Sequence, residues 1–143
     1  MNRISLVIVL LTISAINIAQ PSRKNPTQLL TQKNWILQEH GYDLNANDSI
    51  DAIEEDLTDH RKGDIYIFRA NGSGIFFNEG LSCEGLEEQS FSWRLTDHGN
   101  LLDLAVFQVS ILRLNEDELV IYRDTQNKEA VLLRYISVFR HQD

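Results

Sequence analysis

The stretch Asp64-Ile65-Tyr66-Ile67-Phe68-Arg69-Ala70-Asn71-Gly72-Ser73-Gly74-Ile75-Phe76-Phe77 decides the fold. Apolar and aromatic residues run up to Asn71-Gly72 and resume two residues after it. Asn-Gly between two such runs is a strong short-range hairpin signal, because both central positions of a two-residue turn need positive φ. A two-residue turn at Asn71-Gly72 pairs Phe68 with Ile75 and Tyr66 with Phe77 on one face, and leaves Ile67 and Phe76 as neighbours on the other.

The same period of two continues toward the C-terminus. Phe91, Trp93 and Leu95 alternate with Ser92, Arg94 and Thr96, and Asp97-His98-Gly99-Asn100 is turn chemistry. Leu102 and Leu104 flank Asp103, Val109 and Ile111 sit in an apolar run, and Asn115-Glu116-Asp117 leads into Leu119-Val120-Ile121-Tyr122. Asp124 to Lys128 turns into Val131-Leu132-Leu133-Arg134-Tyr135. Short strands at regular intervals with tight turns read as an antiparallel sandwich or barrel. Hairpins in sequential order favour the up-and-down barrel, since closure removes exposed edges. The expected class is mainly β: a single antiparallel up-and-down β-barrel of about eight strands.

Toward the N-terminus, Trp35-Ile36-Leu37 reads as the first strand. Asn25-Pro26-Thr27-Gln28-Leu29-Leu30 reads as one helical turn, capped by Asn25 with Pro26 in the first position. From Ser49, Ile50, Ile53 and Leu57 recur at helical spacing with Asp51, Glu54, Glu55, Asp56 and Asp59 opposite them. That pattern predicts a short amphipathic helix after the first strand, acid-rich at its start.

Residues 1–19 are a candidate signal peptide. A basic start (Arg3), an apolar run from Ile4 to Ile13 and a small-residue exit near Ala19 precede Gln20-Pro21. The run is shorter than the roughly 20 residues that a spanning helix needs, so cleavage and export to the periplasm or outside the cell are expected, with no stable membrane span afterwards. Residues 20–28 form a polar lead-in, and 29–143 form the barrel domain.

The chain has 143 residues, 13 Lys+Arg against 21 Asp+Glu and a formal charge of −8. With 43% hydrophobic residues it is a globular composition rather than a disordered one. The acidic balance argues against nucleic acid and against an anionic membrane surface. The single cysteine, Cys83, cannot form an internal disulfide.

The series Trp35-x-Leu37, Asp64-x-Tyr66-x-Phe68, Ala70-Asn71-Gly72-Ser73, Asn78-Glu79-Gly80, Cys83, Trp93-x-Leu95 and Leu119-x-Ile121 resembles the lipocalin-like domain proteins of Bacteroidetes. The resemblance runs from about Leu29 to Tyr135. It implies a small secreted or envelope protein built as a compact up-and-down barrel. Lys33 stands where true lipocalins usually carry Gly, and Asp59-His60-Arg61-Lys62 holds no second cysteine, so the disulfide seen in many family members is missing here.

In this register one face collects Trp35, Tyr66, Phe68, Ile75, Phe77, Phe91, Trp93, Leu95, Leu102, Leu104, Val109, Ile111, Leu119, Ile121, Leu133 and Tyr135. An eight-stranded barrel is wide enough to be filled by its own side chains or to hold one small ligand. The candidate ligand-binding residues are Tyr66, Phe68, Phe77, Phe91, Trp93 and Tyr135, with the Tyr66 and Tyr135 hydroxyls and the Trp93 indole N–H as polar contacts. No Arg or Lys falls on the face, so a carboxylate would have to be neutralised at the rim. A small apolar ligand is the leading expectation. A solid-core interaction module working through Ile67 and Phe76 on its outer surface is the alternative.

Asp43, Asn45, Asn47, Asp51 and Glu54 place oxygens at the first, third, fifth, ninth and twelfth positions of a calcium loop. Asp48 stands where such a loop carries Gly, and no second copy exists. A calcium-stabilised structural protein is therefore a third reading. His40, His60, His98 and His141 read as loop and tail residues without zinc spacing, and no nucleophile has a base beside it in sequence. The chain is expected to be non-enzymatic and to need no cofactor.

Overall fold

The computed structural model describes residues 24–50, 61–78, 87–126 and 132–141. The candidate signal peptide, the start of the lead-in, most of the predicted acidic helix and Cys83 lie outside the described residues.

Helix α1 (Pro26–Thr31) forms as its cap residues dictate. The Asn25 side chain accepts from the Gln28 N–H at 2.8 Å, and the Gln28 side chain accepts from the Asn25 N–H at 3.2 Å. Two backbone donors that a helix start leaves orphaned are thereby satisfied reciprocally. Nine strand segments follow: β1 (Trp35–Asp43), β2 (Ile65–Phe68), β3 (Ser73–Asn78), β4 (Glu87–Ser92), β5 (Arg94–Thr96), β6 (Leu101–Asp103), β7 (Gln108–Leu114), β8 (Glu118–Gln126) and β9 (Leu132–His141).

All are antiparallel in one sheet of order β4-β3-β2-β1-β9-β8-β7-β6-β5. First and last strands pair from Trp35↔His141 to Asp43↔Arg134, with a bulge between Leu37 and Glu39. Only Trp93 separates β4 from β5. Ser92 pairs with Ser73 of β3, whereas Arg94 pairs with Asp103 of β6. One bent strand therefore serves both ends of the sheet, and the nine segments act as eight staves of a nearly closed barrel. Along β4 the edge away from β3 carries no strand among the described residues.

The β2–β3 hairpin departs from the expected register by one residue. Its loop has three residues, Ala70, Asn71 and Gly72. The Gly72 N–H donates to Arg69 O at 3.0 Å, and the Arg69 N–H to Ser73 O at 2.9 Å. Of the two turn residues expected at positive φ only Gly72 has it, at 82°. This is a turn followed by one left-handed residue. Asn71 instead uses its side chain, accepting from the Ser73 N–H at 3.0 Å and the Ser73 hydroxyl at 2.7 Å.

The pairs are accordingly Tyr66↔Phe76, Phe68↔Gly74, Ile67↔Ile75 and Ile65↔Phe77. A one-residue slip turns every β3 side chain to the other face. Phe77 and Ile75 thus share the outer face with Ile65 and Ile67, while Phe76 joins Tyr66 on the inner face, their rings 4.8 Å apart. The expectation that Phe77 lines the interior and that Phe76 pairs with Ile67 outside is corrected. Gly74 shows why this register wins: a Cβ there would stand 2.3 Å from the Phe91 ring. Only the bare glycine leaves room for Phe91 against Phe68, whose rings meet edge-on at 5.5 Å.

Strand directions give the barrel two unlike ends. At one end the β2–β3, β5–β6 and β7–β8 connections are tight, and α1 packs across them with Leu30 fully buried. Trp35, also fully buried, donates its indole N–H to Leu30 O at 3.0 Å. Trp93 donates its own to Arg69 O at 3.1 Å and Ser73 O at 2.9 Å. The core of Leu30, Trp35, Leu37, Phe68, Trp93, Leu102, Val109, Leu119 and Phe139 fills this half. Strands β1, β3, β6 and β8 run away from it toward the opposite, open end.

Candidate functional site

Above the core lies a cavity of about 210 Å³. Phe68, Leu102, Val109 and Leu119 form its floor. Leu37, Tyr66, Ile121 and Phe139 form walls, and Arg61, Leu104, Phe107, Arg123, Tyr135 and Ser137 ring its upper part. An apolar cavity of ~150 Å³ already holds benzene, and drug-sized ligands occupy ~300 Å³ or more. This one suits a small molecule of intermediate size. A second cavity of about 210 Å³ adjoins it where β4 lacks a neighbour, lined by Phe76, Gln89, Ser90, Phe91 and Val106. Arg61, Tyr66, Leu104 and Phe107 line both and divide them.

Of the six residues expected to bind a ligand, Tyr66, Phe68 and Tyr135 line the first cavity together. Phe91 lines the second. Trp93 lies in the core below, with its indole N–H bonded to the two hairpin carbonyls. Phe77 is on the outer face.

Two arginines in the cavity wall correct the expectation of a face without cations. Arg123 follows Leu119 and Ile121 at period two on β8, opposite Tyr135 on β9. Its guanidinium lies 5.6 Å from the Tyr135 ring centroid. Arg61 donates from Nη2 to the Tyr66 hydroxyl at 3.2 Å, and its Nε lies 3.4 Å from the fully buried Asp64 carboxylate. Burial pushes the Tyr66 hydroxyl above its ordinary pKa, outweighing the attraction of Arg61, so it remains a neutral phenol. Ser137 and Phe139 were missed too, although both continue the period-two series from Leu133 and Tyr135.

His40 and His141, expected in loop and tail, are strand residues. His40 is buried on β1 and its Nδ1 is hydrogen-bonded to the Tyr135 hydroxyl. His141 stacks on Trp35 with ring centroids 4.1 Å apart. Among the described residues no three His, Cys, Asp or Glu side chains converge as a metal site would require.

Three of the expected calcium ligands, Asp43, Asn45 and Asn47, accept hydrogen bonds within their own loop. Asp43, buried, accepts from the Asn47 N–H at 3.1 Å and the Asp48 N–H at 2.9 Å. Asn45 accepts from the Asn47 N–H at 3.1 Å, and Asn47 from the Ser49 N–H at 2.9 Å. Asp48 carries its carboxylate to Arg134 on β9. These bonds let Ala46 and Asp48 hold positive φ of 57° and 60° without glycine. Asp51 and Glu54 lie outside the described residues.

The rim of the open end is apolar at its tips. Leu44, Val106 and Phe107 are the exposed large hydrophobics among the described residues, Val106 at 86%. In the β6–β7 turn Ala105 adopts φ 67°, and the Val106 N–H donates to Leu104 O at 2.8 Å.

A single antiparallel meander, closed first strand to last, capped by a short helix at one end and hollow at the other, fixes the architecture. The fold is lipocalin-like. No family model matches the chain, and no curated protein sequence matches it. Among solved structures, a complex of bovine odorant binding protein with a selenium-containing odorant aligns at TM-score 0.46 and 15% identity, covering 87% of this chain and 76% of that one. In this lipocalin-like barrel the cavity lies above the packed core, toward the open end. Among the described residues no helix is long and apolar enough to cross a membrane.

Proposed function

We propose that this chain is an exported, non-enzymatic, lipocalin-like protein of the small Bacteroidetes envelope type, and that it binds a small apolar ligand inside the barrel. The observation that carries the reading is the cavity of about 210 Å³ over an apolar floor of Phe68, Leu102, Val109 and Leu119. Burying apolar ligand surface there is worth about 25 cal/mol per Å². The few polar groups above the floor, Tyr66, Tyr135 and Ser137, would orient the molecule. Export rests on the leader-like residues 1–19, and the envelope type on the motif series from Trp35 to Ile121.

Titration with eight-carbon compounds, beginning with 1-octanol and followed by methyl NMR shifts at Leu102, Val109 and Leu119, tests the reading. Saturable shifts are expected in the wild type and their loss in Ile121→Trp, which fills the cavity. If no eight-carbon compound gives a saturable shift, the carrier reading fails and an interaction module working through its outer surface takes its place.

A further inference from the structure

The cavity differs in charge from the chain that builds it. The sequence carries 21 acidic residues against 13 Lys and Arg. Yet the cavity wall includes Arg61 and Arg123 and no carboxylate among the described residues. The second, adjoining cavity likewise takes Arg61 and no acid.

The two arginines are not equivalent. Arg61 is balanced by Asp64. Four other arginines on the barrel have acids: Arg94 with Asp103, Arg113 and Arg140 with Glu118, Arg134 with Asp48 and Asp124. Arg69, exposed beside the β2–β3 turn and away from both cavities, has no ion pair among the described residues. Arg123 lines the cavity with only the Tyr135 ring beside it, and no ion pair reaches it among the described residues. Neighbouring hydroxyls point the same way. Tyr66 accepts from Arg61, which leaves its own O–H free to donate, and Ser137 faces the same space. Cation and hydroxyl donors over an apolar floor complement one negative group on an apolar body.

Resting on the binding reading above, we infer that the ligand is an amphipathic monoanion, its charged group held by Arg123 at the mouth and its apolar part lying on Phe68. One unbalanced guanidinium matches a single negative charge; a dianion would bring a second charge into a strongly acidic protein. By proportion with benzene in ~150 Å³, the cavity takes an apolar part of about eight carbons. A carboxylate and a sulfate ester both have the required chemistry.

The test is calorimetric titration of the full mature chain with octanoate, octyl sulfate and 1-octanol. The wild type is expected to bind at least one of the anions about tenfold more tightly than the alcohol, as a charge-assisted contact provides. Whichever anion is preferred identifies the head group. In Arg123→Gln that preference disappears, and Arg123→Lys restores part of it. Equal affinity for all three, or a preference that survives Arg123→Gln, overturns the assignment and leaves the apolar carrier standing. Absence of binding by all three overturns the carrier reading as well.

Discussion

The two ends of the barrel use the same residue types to opposite purposes. At the capped end each tryptophan has its indole N–H on a backbone carbonyl, Trp35 on Leu30 and Trp93 on Arg69 and Ser73. Their rings are buried to 0% and 7% exposure. At the open end, Arg123 stands over Tyr135 with no carboxylate beside it among the described residues, Ser137 faces a void, and Leu44, Val106 and Phe107 meet solvent. Packing is close below the cavity and leaves a void above it, where exposed Arg123 meets solvent. The packed core and the proposed binding site thereby occupy different halves of the same strands: β8 places Leu119 in the core and Arg123 in the mouth, four residues apart. The lesson is that a small barrel can keep a hollow half because the other half is packed solid and latched by a helix.

That division is broken most directly at Trp35. Trp35→Ala removes a fully buried ring, its bond to Leu30 and its stack on His141, so α1 loses its latch. A cost of about 3–5 kcal/mol is expected in urea unfolding. A cost below about 1 kcal/mol would show that α1 is ornamental and that the core does not depend on it. Asp43, at the open end of β1, should matter less. Asp43→Ala leaves the Asp48 N–H without its acceptor and the Asn47 N–H with Asn45 alone, at about 1–3 kcal/mol. The loss is expected to be the same with and without millimolar Ca²⁺, because both carboxylate oxygens serve the loop itself. A wild type that gains stability on adding Ca²⁺, and an Asp43→Ala that does not, would favour the calcium reading.

The barrel was legible in the sequence because turn chemistry and period two agree from Asp64 onward. Its eight staves were countable once Trp93 is seen as a bend within one strand rather than a boundary. The register of β2–β3 was not legible from Asn-Gly alone. Asn71-Gly72 fits both a two-residue turn and the end of a three-residue one, and the choice is made by Gly74 beneath the Phe91 ring, a contact between residues 17 apart in sequence. Phe77 and Phe76 exchanged faces for that reason. Arg123 and Ser137 were within reach: extending Leu119-Ile121 and Leu133-Tyr135 by one more step places both inside. Hydrophobicity ends the series at the residues where an apolar wall gives way to polar anchors, so a rule that follows only apolar positions stops short of the site. Arg61 had no such signal, since it precedes β2 and reaches the cavity through its bonds to Asp64 and Tyr66. The bulges at Gln38 and Leu112, which bring His40 and Leu114 to the inner face, leave no local mark either.

The smallest expected effect sharpens the same contrast through pH. Tyr66 sits on the partition between the two cavities, and burial raises its pKa above the ordinary 10.0, with Arg61 opposing and Asp64 adding to the rise. The folded chain therefore retains a proton that the unfolded chain releases. Stability from this group is complete below about pH 10 and declines as pH climbs through the unfolded value toward the folded one. Tyr66→Phe cannot ionise, so the difference in unfolding free energy between variant and wild type should be constant from pH 7 to 9 and shift in favour of the variant above pH 10. Comparing the pair cancels the other tyrosines. A difference that stays flat through pH 11 would mean that water solvates the phenolate freely, and that the wall between the two cavities is open to bulk solvent rather than a dry boundary against which an apolar ligand could pack.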